Sequence, residues 1–134
     1  MPNLFTELEL KEYDTDFYTQ WQSSVLADAE TYVSKEYSNF QTALLREISK
    51  YAEAVDAAVV SENKGHYYTS CFIERNGKFV YINHSADVRM DDGIKIELGS
   101  FMIRTARHAK DYTGGNNQYC DMLQLQSMID KLLS

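Results

Sequence analysis

The sequence predicts a single α+β domain: two N-terminal helices, an antiparallel β-meander of three to four strands, and a C-terminal helix. Three observations carry that expectation. Apolar residues from Phe17 to Val59 recur at three- and four-residue steps, two tight-turn signals (Asn76-Gly77 and Gly99-Ser100) each lie between strand-like runs, and residues 118–133 return to helical spacing. At 134 residues with 44% hydrophobic content, one core and hence one domain over 1–134 is expected.

The helical half is read from one stripe. Phe17, Trp21, Val25, Ala29, Tyr32, Tyr37, Phe40, Leu44, Ile48, Tyr51, Val55 and Val59 fall on it, and it is unusually rich in aromatics. Asp14 or Thr15 caps its start, and the Ser38-Asn39-Phe40-Gln41 pattern has the form of a capping box. Two helices, about 16–35 and 39–60, are therefore expected. A continuous helix would be roughly 65 Å long at ~1.5 Å per residue, which suits only a dimer. Glu62-Asn63-Lys64-Gly65 is the expected stop of the second helix, and Glu7-Leu8-Glu9-Leu10-Lys11 alternates like a short strand.

The hairpin at Asn76-Gly77 fixes a register, because both central residues of a type I′ turn need positive φ. It pairs Arg75 with Lys78, Glu74 with Phe79, Ile73 with Val80, Phe72 with Tyr81, Cys71 with Ile82 and Thr69 with His84. One face then holds Tyr67, Cys71, Ile73, Val80 and Ile82. The other holds Tyr68, Phe72, Phe79 and Tyr81 beside Ser70, Glu74 and Asn83, so it requires a cover: the last helix, a second subunit or a ligand. The second hairpin, at Gly99-Ser100, would place Leu98 against Phe101, Ile96 against Ile103 and Ile94 against Thr105, with Lys95 opposing Arg104. The competing reading caps a helix over 101–112 with Ser100. Gln118–Leu133 closes the chain as an amphipathic helix.

Charge and motifs limit the chemistry. The net charge is −7, and up to Val60 the only bases are Lys11, Lys35, Arg46 and Lys50, which argues against nucleic acid and leaves an acidic surface for a basic protein partner. Met1-Pro2-Asn3 begins no basic-then-apolar leader, no long apolar run suggests a membrane span, and Cys71 and Cys120 form neither a disulfide framework nor a zinc motif. A cytoplasmic protein with free thiols, no metal and no cofactor is expected. Asn83-His84-Ser85 matches a glycosylation sequon only by its letters.

One region gathers cations, glycines and a helix start: Lys95, Arg104, Arg107, His108, Lys110, Gly114 and Gly115 are the candidate small-anion or nucleotide ligands. The sequence there is neither a Walker A loop nor G-x-G-x-x-G. Trp21, Tyr68, Phe72, Phe79 and Tyr81 are the candidate interface or pocket residues, since Tyr and Trp combine area with a polar tip. A nucleophile drawn from Cys71, His84 and Asp87 is disfavoured, because a thiol among apolar neighbours has a raised pKa. The leading expectation is a non-catalytic binding or adaptor protein that self-associates as a dimer through aromatic surface. A small-anion or nucleotide-binding domain is second, and an enzyme with an unrecognised pocket third.

Overall fold

The computed structural model describes residues 35–65, 68–85, 87–89, 93–95 and 101–134, with side chains over 38–65, 68–85 and 101–134. It is an α+β fold. Helix α1 (Lys35–Ala54) leads into strands β1 (Ala58–Lys64), β2 (Tyr68–Arg75) and β3 (Lys78–Ser85). The short strands β4 (Asp87–Arg89) and β5 (Gly93–Lys95) follow, then β6 (Phe101–Ala106), β7 (Gln118–Cys120) and helix α2 (Leu125–Leu133). The main sheet is antiparallel with order β1-β2-β3-β6-β7, and β4 pairs only with β5. Residues 16–34 of the first expected helix, with Trp21, and the strand expected at 7–11 lie outside the described residues. Among the described residues no helix is long and apolar enough to cross a membrane.

The β2–β3 hairpin has the expected register at every named pair, from Arg75 opposite Lys78 to Thr69 opposite His84. Asn76 (φ 53°) and Gly77 (φ 83°) supply the two positive dihedrals of the turn. Both helices pack on the face carrying Cys71, Ile73, Val80 and Ile82, and bury Phe40, Leu44, Ile48, Tyr51, Leu125, Ile129 and Leu133 against it with Phe101 and Ile103. Arg75 ties this layer together. Its guanidinium donates to the Val55 carbonyl just past the end of α1 (2.8 Å) and to Asp130 of α2 (2.8 Å to Oδ1).

Three expectations are corrected. The second helix does not run to Val60: it ends at Ala54, and residues 58–64 form the edge strand β1. Asp56 adopts φ 60°, Ala57 N–H donates to Ala52 O (2.8 Å) and Asp56 N–H to Glu53 O (3.1 Å), which is a Schellman stop. Val59 still reaches the core, now from a strand. Likewise Gln118–Cys120 is a strand on the free edge of β6, with Cys120 opposite Phe101, and the last helix begins only at Leu125. Asp121 and Gln124 exchange side-chain and backbone bonds (2.9 and 3.0 Å) one turn earlier, the reciprocal pattern of a capping box. Two end segments read as helix thus enlarge the expected three or four strands to five.

The third correction concerns the hairpin at Gly99-Ser100, two residues that lie outside the described ones. Gly93–Lys95 closes on Asp87–Arg89 instead, so Lys95 opposes Asp87 and Ile94 opposes Val88. Strand β6 does form, which removes the helical reading of 101–112, but β3 and β7 occupy its two edges. Ile103 therefore lies between Ile82 and Gln118, Thr105 opposes Val80, and Arg104 opposes Tyr81 rather than Lys95. The like-charge conflict read from the sequence does not arise.

Candidate functional site: an aromatic sheet face under a latched loop

The face of the sheet away from the helices is built from alternate residues of β2, β3 and β6. Phe72 opposes Tyr81 and Tyr81 opposes Arg104, so three large side chains stand in one row across the strands. Phe72 and Tyr81 stack at 4.8 Å between ring centroids, and the Arg104 guanidinium lies 4.6 Å above the Tyr81 ring. Arg104 is only 2% exposed, a position that a cation tolerates when its N–H groups are paired. They donate to the Asp111 carbonyl (2.6 Å) and the Thr105 carbonyl (3.1 Å). Asn83 donates to the Tyr81 hydroxyl, and Asn63 to that of Tyr68 at the rim. Phe79 is half-buried on the same face.

The cover over this row includes the loop 107–117, whereas helix α2 packs on the other face. Tyr112, from that loop, sets its ring edge-on to both Phe72 (5.2 Å) and Tyr81 (5.7 Å). Asp111 holds the loop in place. Its buried carboxylate accepts from Arg107 N (2.8 Å), Arg107 Nε (3.1 Å), Arg107 Nη2 (3.3 Å), Thr113 N (3.2 Å) and Gly114 N (2.9 Å). The Arg107 guanidinium, followed by these amides, holds the Asp111 carboxyl well below the usual carboxylate range, against the opposing effect of burial. Gly115, at φ +72°, completes the loop where a Cβ would run into the Thr105 carbonyl oxygen.

The candidate anion ligands are therefore partly brought together and partly not. Arg107 and the Gly114 amide do converge with the Thr113 amide around a carboxylate, but the carboxylate is the chain's own Asp111. Arg104 is committed to carbonyls and to Tyr81, His108 accepts the Lys110 N–H (3.2 Å), and Lys95 belongs to the separate β4–β5 hairpin. An external anion at this loop would have to displace Asp111. Asp111 and Tyr112 are not among the site residues expected from the sequence. The signal for the first was present, since an Asp two and three residues before Thr113 and Gly114 is the pattern of an Asx turn.

The cysteine and histidine are placed in the core. Burial, then the negative charge of Glu62 opposite, pushes the Cys71 thiol far up from its ordinary value, and burial pushes Cys120 up to about 11. Both thiols are thus held protonated at neutral pH. His84 packs its ring between Phe40 (5.7 Å) and Phe101 (4.8 Å). Comparisons with family models, with curated proteins and with solved structures find no match to this chain.

Proposed function

We propose that the chain is a small non-catalytic binding protein of the cytoplasm that self-associates as a dimer through the aromatic face of its sheet. The observation that carries this reading is the composition of that face around the buried row. Tyr112 and Tyr119 are 54% and 66% exposed, and Tyr119 opposes the half-buried Met102 on the same side of the sheet as Phe72 and Tyr81. Tyrosine is enriched at interface hot spots, where its rigid ring loses little entropy on docking, and here two exposed tyrosines stand on a face already held rigid by its buried row. A second copy is the simplest occupant, because a two-fold axis sets one patch against the same patch of another chain and needs no second kind of partner.

The sheet edge offers a poorer route to self-association. Strand β1 carries an irregularity between Val59 and Ser61 and exposes the charged Glu62 and Lys64, both of which discourage edge-to-edge pairing. The protonated thiols and the core packing of His84 favour binding over catalysis, and the net charge of −7 leaves a basic protein as the natural further partner. Sedimentation velocity across micromolar concentrations tests the reading. Wild-type protein moves from monomer to dimer within that range, and Tyr112→Ala with Tyr119→Ala shifts it towards monomer; a wild-type monomer throughout the range rejects the proposal.

A further inference from the structure

A groove of about 350 Å³ lies between helix α1 and strand β1, lined by Thr42, Leu45, Arg46, Ser49, Glu62 and Lys64. It lies on the helix side of the sheet, remote from the aromatic face, because Glu62 opposes Cys71 and Lys64 opposes Thr69, whereas Phe72 faces the other way. Its volume is at the small end of the ~300–1,000 Å³ range of ligand sites, which suits a molecule the size of an amino acid rather than a nucleotide.

The charges in this groove are the informative feature. Arg46, Lys64 and Glu62 line one space, yet among the described residues no ion pair joins either cation to Glu62. Lys64 instead donates to the Thr42 hydroxyl (2.9 Å), and an ammonium has three donors, so two remain free. Among the described residues the Arg46 guanidinium, the Ser49 hydroxyl and the Glu62 carboxylate have no hydrogen-bond partner. Exposed opposite charges gain little by closing on each other, so these groups stay available to a ligand that meets all of them. Leu45 adds a buried apolar side chain to the lining.

We infer that this groove binds a small zwitterion of the α-amino-acid class, its carboxylate held by Arg46 and Lys64 and its ammonium by Glu62. A simple anion would leave Glu62 as a repulsive neighbour, and a simple cation would face two like charges. A zwitterion satisfies all three groups at once.

Isothermal titration of the full chain with free L-amino acids, their N-acetyl derivatives and inorganic phosphate tests the inference. At least one free amino acid binds, with N-acetylation weakening it fivefold or more. Arg46→Gln and Lys64→Gln each weaken binding about tenfold, while Glu62→Gln abolishes the preference for the free over the acetylated form. All three substitutions are at exposed positions, and unchanged thermal melts show that the fold is intact. Absence of heat from every amino acid overturns the inference, as does phosphate binding that is as tight and insensitive to Glu62→Gln.

Discussion

Replacing Gly115 by alanine should cost far more than replacing Gly77, although both glycines have positive φ. At Gly77 (φ +83°) an added Cβ meets nothing within 4 Å, so the penalty is that of the left-handed backbone alone, ~1 kcal/mol. At Gly115 (φ +72°) the same penalty applies, and the Cβ also collides with the carbonyl oxygen of Thr105, a backbone atom fixed in β6. Forcing it aside adds ~1–3 kcal/mol, as for an overpacked site, giving a total of ~2–4 kcal/mol. For a chain of this size ~1 kcal/mol corresponds to roughly 4 °C in Tm, so Gly77→Ala lowers Tm by about 4 °C and Gly115→Ala by about 8–16 °C. Differential scanning calorimetry reads both, and near-UV circular dichroism reports loss of the ordered Tyr112 packing in the second only. Equal shifts for the two variants would refute the placement of Gly115 against β6, and with it the description of how the loop is held.

Two further outcomes follow from the same structure. Arg75→Ala removes the bonds that tie the residue just past α1, Val55, to Asp130 of α2, and denaturant unfolding should register a loss of ~1.5–3 kcal/mol; a loss below ~0.5 kcal/mol would show that the contact is merely a surface pair. Asp111 has its folded-state pKa depressed, chiefly by Arg107, so its contribution is complete above its unfolded value of about 3.9 and is lost as pH falls below that. Urea midpoints between pH 6 and pH 2.5 should therefore fall more steeply for wild type than for Asp111→Asn, by up to one proton's worth of slope; parallel profiles would contradict the five-bond account of the latch.

What could be read from the sequence was local. Asn76-Gly77 needs only its own two dihedrals and the alternation beside it, and it yielded the register of eight residues on each strand together with the separation into an aliphatic and an aromatic face. The end strands were a different matter. Val55 and Val59 are spaced by four, which suits a helix stripe, and only Asp56 in the left-handed region breaks it; an Asp there is a weak signal compared with glycine. Residues 118–120 lose their helix to the unpaired edge of β6, a demand made by residues far away in the chain. The second hairpin failed for a related reason, since β3 and β7 fill both edges of β6 and leave β5 to close locally on β4.

The candidate site was legible in part. Arg107 and Gly114 lie close together in the fold as they do in the sequence, but the carboxylate they surround is that of Asp111, whose backbone carbonyl also takes a bond from Arg104. The aromatic row of Phe72 and Tyr81 followed from strand alternation. That Tyr112 would cover it did not, because a loop's path over a sheet depends on contacts that have no period.

The proposed dimer would be held together by the tyrosine-rimmed sheet face, and sedimentation velocity reads that association without a label or a ligand. Wild-type protein should move from monomer to dimer as concentration rises through the micromolar range, and Tyr112→Ala with Tyr119→Ala should weaken that equilibrium at least tenfold, since hot-spot truncations each cost more than ~1 kcal/mol. A wild-type chain that stays monomeric to hundreds of micromolar, or a dimer indifferent to both substitutions, would contradict the account.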